Sequence, residues 1–179
     1  MVNYVNNLSS IKLNSLWHNM YDRCYSKRYH DRSPQYIGCS MCDDWLDDQA
    51  TFKEWARENY YIVDDEQIDL DKDILVKGNK IYSPKTCIFV PHSINTYFNS
   101  LVREPVYIKS MDQWKMEICL EGKNVTIGYF ETEEEAKKAY IKHKEASILA
   151  KADLYKDRIP RKLYNAMINW RIELSDWNN

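Results

Sequence analysis

From Ser10 onward the apolar residues Ile11, Leu13, Leu16, Trp17, Met20, Tyr21 and Cys24 recur at helical spacing, with Ser9 or Ser10 as the cap. An amphipathic helix therefore opens the chain. The stretch from Ser26 to Pro34 is polar and loses that period, which predicts a loop, and Tyr36 to Cys42 reads as a short extended piece. A second helix is expected behind Asp47 or Asp48, carrying Phe52, Trp55, Ala56 and Tyr60, with acidic residues where the helix dipole favours them. Asp64, Asp65 and Glu66 turn the chain into a strand at Ile68. The next segment predicts a strand, a tight turn at Gly78-Asn79 and a return strand, then a helix opened by Ser83 with Pro84 at its first position, the whole unit ending near Asn95.

His92 to Leu101 should continue as helix, and Arg103-Glu104-Pro105 marks a boundary because the pattern then changes to alternation. Two modules follow from this, 1–103 and 104–179. In the second, Val106 and Ile108 form one strand, Trp114, Met116, Ile118 and Leu120 alternate along another, and Val125, Ile127 and Tyr129 along a third. Thr132 and Glu135 have the spacing of a capping box, and the helix behind them places Ala136, Ala139, Tyr140, His143 and Ala150 on one face. A last helix from about Pro160 presents Leu163, Met167, Trp170 and Leu174. The fold class is α+β, with a three-stranded antiparallel sheet packed on a helix in the second half.

Composition changes this picture in three places. At 179 residues and 44% hydrophobic the chain can build a core, and most of its six Trp and fourteen Tyr are expected to fill it. A formal charge of -2 excludes a globally basic nucleic-acid binder but not local patches, and residues 1–104 hold 12 Lys/Arg against 15 Asp/Glu. Lys27, Arg28, His30 and Arg32 form one such patch, suited to phosphate contacts. Five cysteines, with no secretory pattern at the start and no long apolar run, place the protein in the cytoplasm with no membrane partner. Cys39-x-x-Cys42 has the spacing of half a zinc knuckle and Cys24 could add a third thiolate, but no fourth ligand is evident. Zinc is therefore not expected, and buried free cysteines are.

The segment Leu70-Asp71-Lys72-Asp73-Ile74-Leu75, followed by Gly78-Asn79-Lys80 and then Tyr82-Ser83-Pro84-Lys85-Thr86-Cys87, resembles the core of the HNH (ββα-metal) nucleases of phages in degenerate form. The resemblance implies magnesium or manganese held by Asp71 or Asp73, since such sites use hard oxygen ligands. It puts Lys72 where the family has its His base, Asn79 in the turn, and the helical ligand near Thr86 or Cys87. His92 is the imidazole that could fold back toward the acids. A lysine serves as a base only if its pKa is lowered, and flanking carboxylates act the other way.

Trp114 to Ile118, Gly122-Lys123, Ile127-Gly128-Tyr129-Phe130 and Thr132-Glu133-Glu134-Glu135-Ala136 resemble the APETALA-type DNA-binding domain of plant ethylene-response factors, which also occurs attached to HNH proteins in phages. The resemblance covers about 104–152. It implies double-stranded DNA as partner, met by the sheet face away from the helix. Alternation assigns Val106, Ile108, Met116, Ile118, Val125 and Ile127 to the helix side and leaves Tyr107, Lys109, Lys115, Glu117, Cys119, Asn124 and Thr126 outward. Together the two resemblances imply a DNA-binding protein of the HNH homing-endonuclease kind acting in a phage-infected or prophage-bearing bacterial cell. The alternative is a catalytically inactive descendant that regulates DNA or inhibits a host protein.

Overall fold

The computed structural model describes residues 1–99, 101–120 and 122–178. Its internal packing divides the chain into two units, Met1–Asn95 with Asp157–Leu163, and Thr96–Lys156 with Tyr164–Asn179. The pattern change at Arg103-Glu104-Pro105 lies eight residues beyond that division. Proline ends helical periodicity locally, whereas the division follows where packing ceases to cross, and position along the chain does not report that.

In the first unit β1 (Asn3–Tyr4) pairs antiparallel with β3 (Tyr61–Ile62). Helix α1 (Ser10–Tyr25) starts where the Ser9 hydroxyl accepts the Lys12 N–H at 3.2 Å, and it buries Leu13, Trp17, Met20 and Cys24. The polar stretch expected as a loop instead contains α2 (Lys27–Arg32), capped by Ser26. No residue of α2 is buried, so it carries no apolar period by which the sequence could announce it. A 3-10 turn at Pro34–Tyr36 leads to β2 (Ser40–Met41), then α3 (Asp43–Asp47) and α4 (Gln49–Asn59). The Asp48 carboxylate caps α4 by accepting from Ala50 N–H at 2.8 Å. Trp45, Phe52, Trp55, Tyr60 and Phe89 form one aromatic cluster with ring centroids 4.8 to 6.2 Å apart. The buried Trp17 indole is satisfied by the Trp45 carbonyl at 2.8 Å.

β4 (Ile68–Asp71) is where the expected unit begins, but its partner differs from expectation. β5 (Ile81–Tyr82) pairs parallel with β2, not with β4, and the return strand is β6 (Ile88–Pro91), antiparallel to β4 with Asp69 opposite Val90 and Asp71 opposite Ile88. Ser83-Pro84-Lys85-Thr86 makes one turn, closed by Cys87 N–H on the Ser83 carbonyl at 2.9 Å, and no helix follows it there. The reason is burial. All four residues of β6 are buried, and a β-branched and aromatic run covered on both faces extends as strand whatever precedes it. The helix that follows the hairpin is α5 (His92–Asn99). The strand, strand, helix order therefore holds with a different second strand and a different helix.

In the second unit β7 (Val106–Ile108), β8 (Gln113–Leu120) and β9 (Lys123–Phe130) form a three-stranded antiparallel sheet with β8 in the centre. Met116 and Ile118 pack on Ala136 and Tyr140 of α6 (Glu133–Tyr155), with Trp114, Leu120, Ile127, Phe130 and Trp177 around them. Thr132 and Glu135 form the capping box in both directions, at 3.2 and 3.1 Å. Helix α7 (Arg161–Ile168), which begins in the first unit and ends in the second, and a 3-10 turn at Leu174–Asn178 are the last described elements, and α7 buries Leu163 and Met167. Among the described residues no helix is long and apolar enough to cross a membrane.

Removing the Thr132 hydroxyl strips α6 of its cap and leaves an N–H without a partner. Thr132→Ala should lower stability by about 1 kcal/mol, read as a fall in the urea midpoint at unchanged slope.

Candidate functional site

The edge of the hairpin nearest α5 gathers polar groups around Asp69. Asp69 stands on β4 between buried Ile68 and Leu70, so alternation turns its side chain away from the core. One carboxylate oxygen, Oδ2, accepts from His92 Nδ1 at 2.7 Å and from Asn95 Nδ2 at 3.0 Å; the other, Oδ1, accepts from Gln67 Nε2 at 2.6 Å. Burial would raise the Asp69 carboxyl, but hydrogen bonds from Asn95, Gln67 and His92, with the charge on His92, outweigh it and hold the group below the usual carboxylate range. Asp69 thereby orients the His92 ring through Nδ1, and that ring is about half exposed (53%). Beside this pair lies a cleft of about 140 Å³, lined among others by Lys12, Asn19 and Arg23 of α1 and by Gln67 and Asp69. The Arg23 guanidinium lies 5.3 Å from the Tyr36 ring centroid, and its Nε is buried with no hydrogen-bond partner. Two cations and a carboxylate thus face one small cleft, and the histidine is bonded to that carboxylate.

The expectation for His92 is a position near the acids, and it meets Asp69, not Asp71. Asp69 and Asn95 are functional candidates that sequence reasoning missed. The signal that could have found them is period two along Ile68-Asp69-Leu70-Asp71, which puts Asp69 on the face of Asp71, and the His92-x-x-Asn95 spacing of one helical turn.

The residues that the sequence singles out are engaged in building the loop. Asp71 Oδ1 accepts from the backbone N–H of Asp73 at 2.9 Å and of Ile74 at 2.7 Å, an arrangement that ends β4. Burial, then the charge of Asp73, raises the Asp71 carboxyl to about 6 against those two hydrogen bonds and Lys72. Lys72 is 7% exposed and bonds Asp73 Oδ2 at 3.1 Å; its nitrogen also lies 5.8 Å from the centroids of Tyr36 and Tyr82. Burial would lower the Lys72 ammonium, but the charge and hydrogen bond of Asp73, with Cys39 and Asp71, outweigh it and raise its pKa. These contacts favour the charged form of Lys72, which is opposite to what a base requires. Asn79 Nδ2 donates to the carbonyls of Lys72 at 2.7 Å and Ile81 at 2.8 Å, which staples the loop shut. Thr86 Oγ1 donates to the Ile81 carbonyl at 2.6 Å, and Cys87 is buried.

A divalent cation at Asp71 and Asp73 would compete with contacts already made: Asp71 Oδ1 caps two N–H groups, and Asp73 Oδ2 accepts from the Lys72 ammonium. Among the described residues no three His, Cys, Asp or Glu side chains lie close enough to share a metal ion. Cys24, Cys39 and Cys42 form no disulfide, and burial pushes the Cys24 thiol up to about 12.

The outward sheet face is set by register. Cross-strand partners share a face, so the pairs Lys115–Tyr129, Glu117–Thr126 and Cys119–Asn124 lie opposite α6, as expected for Lys115, Glu117, Cys119, Asn124 and Thr126. Val106 pairs with Lys115 and is outward, whereas Tyr107 pairs with Trp114 on the helix side, their rings 5.3 Å apart. Tyr107 is thereby reversed from its expected face. Lys109 lies in the turn after β7, beyond the alternation. A bulge between Met116 and Glu117 shifts the register so that Ile127 stays with the core. Arg103, missed by sequence reasoning, reaches Asn124 Oδ1 at 2.9 Å and Glu117 Oε2 at 3.3 Å, while Lys115 meets Glu117 Oε1 at 2.5 Å.

No family model, curated protein or solved structure matches the chain.

The basic patch of α2 is split by its helical turn. Lys27, Arg28 and Arg32 are exposed, and Arg32 lies over the Tyr29 ring with centroid 5.9 Å away. His30 instead points inward, with Nε2 donating to the Arg23 carbonyl at 2.9 Å. Its Nε2 is thereby engaged with the Arg23 turn.

A carboxyl raised in the folded state favours folding while it is protonated, and that contribution is lost as pH rises through the folded value. Wild-type protein should therefore lose stability between about pH 4 and about pH 6, by roughly 1.4 kcal/mol for each unit of elevation. Asp71→Asn keeps an oxygen acceptor for the two N–H groups and should lack that loss, seen in urea unfolding at pH 4.5 and 7.5.

Proposed function

We propose that the protein binds double-stranded DNA and derives from the HNH homing-endonuclease type, with a rebuilt acidic centre. The observation that carries this reading is the antiparallel hairpin β4/β6 running directly into α5, with Asp69, His92 and Asn95 brought together at that junction. Arg23 and Lys12 at the adjoining cleft supply positive charge for a phosphate, and the exposed cations Lys27, Arg28 and Arg32 of α2 add sequence-independent backbone contacts. In the second unit the sheet face of Lys115, Glu117, Asn124, Thr126 and Tyr129, with Arg103 beside it, is the surface proposed for the groove. Its charge is mixed, because Glu117 neutralises part of Lys115 and Arg103. Affinity at this face then comes from polar contacts and shape more than from net charge.

The occupied state of Asp71, Lys72 and Asp73 favours a second reading, a DNA-binding protein that no longer cuts. The two readings share the binding step and differ at His92. In a cutting enzyme, neutral His92, oriented by Asp69 at Nδ1, takes the proton of the attacking water as the P–O bond to the leaving oxygen breaks and solvent protonates that oxygen, with Arg23 and Lys12 as the cation partners of the phosphate.

Binding to duplex DNA should weaken with salt, and Lys115→Ala or Arg28→Ala should each lower the slope of log K against log salt by about one unit for each phosphate left unneutralised. A slope unchanged in both variants would point to a protein partner. Supercoiled plasmid with magnesium or manganese distinguishes the two readings: nicking by wild type that is lost in His92→Ala and Asp69→Asn supports the enzyme, and absence of nicking with binding intact supports the regulator.

A further inference from the structure

The second unit contains a cavity of about 380 Å³ that the DNA-binding reading does not use. It is lined by Thr96, Tyr97, Val102, Arg103, Cys119, Tyr140 and Lys144. Lys144 sits on α6 only 3% exposed, and among the described residues it has no carboxylate partner. Its ammonium donates to the Tyr97 carbonyl at 3.2 Å and lies 3.7 Å from the centroid of the Tyr97 ring. A carbonyl and a ring face offset only part of the cost of burying a full charge. The second cation at the cavity, Arg103, is in a different situation because Glu117 and Asn124 hold its guanidinium. Lys144 is thus the uncompensated charge at a space large enough for a small ligand.

The walls are equally specific. Tyr97 is held by donating its hydroxyl to Ser147, whose own hydroxyl donates to the Lys144 carbonyl at 2.7 Å, so ring and ammonium are fixed together on one turn of α6. Tyr140 is 3% exposed, with its ring edge-on to Trp177 at 5.9 Å, and its hydroxyl has no hydrogen-bond partner among the described residues. Burial holds the Lys144 ammonium below its ordinary value, at about 8, against the opposing pull of Cys119. The titratable and charged groups at the cavity are Tyr97, Tyr140, Cys119 and Arg103, and Lys151 lies 5.6 Å from the centroid of the same Tyr97 ring.

We propose that this cavity binds a small organic anion, a carboxylate or phosphate monoester on a flat apolar body, with Lys144 as its counter-charge and Tyr97 and Tyr140 as its walls. The anion completes the ion pair that Lys144 lacks, and the ring stacks where the Tyr97 and Tyr140 side chains already exclude water. The cavity shares Arg103 with the proposed DNA face, but the residues that carry this reading, Lys144, Tyr97 and Tyr140, lie outside that face.

Benzoate and phenyl phosphate serve as probes, with benzamide as a neutral isostere and inorganic phosphate as an anion lacking the apolar body. Both organic anions should bind wild-type protein saturably in calorimetry and raise its melting temperature, and benzamide and inorganic phosphate should do neither. Lys144→Met should weaken both anions by about tenfold or more. Equal binding by Lys144→Met, or no binding of either organic anion to wild type, overturns the proposal. If Lys144→Met does not fold, carbon-detected NMR of the Lys144 side chain in the wild-type protein decides. Saturating benzoate must move its titration upward, since a bound anion favours the charged amine, and an unmoved titration rejects the site.

Discussion

The structure of the first unit depends on how Asp71 uses its carboxylate. By accepting the N–H groups of Asp73 and Ile74, it ends β4 after four residues and sends the chain into the loop that Asn79 then ties at Lys72 and Ile81. Had β4 continued to Leu75, a tight turn at Gly78-Asn79 could have returned the chain along it. Instead the return is delayed until Ile88, and the two residues at Ile81 and Tyr82 are free to pair with β2. An acid that looks like a ligand in sequence is thus a structural residue. Its elevated pKa follows from the same arrangement, because a carboxylate turned into the protein beside Asp73 is costly to ionise even with two N–H donors.

That change moves the chemistry by two residues along the strand. Asp69 shares the face of Asp71 but accepts only side-chain donors, from His92, Asn95 and Gln67, and keeps a low pKa. Two carboxylates on one strand therefore sit in opposite states, one held ionised by donors and one pushed towards neutrality by burial. Pairs of acids separated in this way are a recurring basis for acid and base roles. Here the ionised member is the one joined to a histidine and to a cleft containing Arg23, and the other is bound into a loop with a lysine.

The two units handle buried cations differently. In the first, Lys72 has Asp73 within 3.1 Å and is stabilised as a cation despite burial. In the second, Lys144 has only a carbonyl and an aromatic ring, and burial prevails. The same residue type, buried to a similar degree, is thereby firmly charged in one place and easily neutralised in the other. The decisive difference is one carboxylate at hydrogen-bonding distance.

Local pattern was sufficient for much of the architecture. Helix α1 with its Ser9 cap, α4 with its Asp48 cap, the alternation of β8 and the Thr132–Glu135 box all depend on neighbours within four residues, so they are legible in the sequence. The outward positions of Lys115, Glu117, Cys119, Asn124 and Thr126 follow from the same alternation. What tertiary structure decided was pairing. Asp71 finds its donors two and three residues on, but whether β4 meets β5 or β6 also turns on the burial of Ile88, Phe89 and Val90, which involves groups distant in sequence. Tyr107 took the helix side because register, not strand alternation alone, sets the face of β7. The association of Asp69 with His92 and the isolation of Lys144 join residues 23 and 47 positions from their partners Asp69 and Tyr97, beyond the reach of any periodicity.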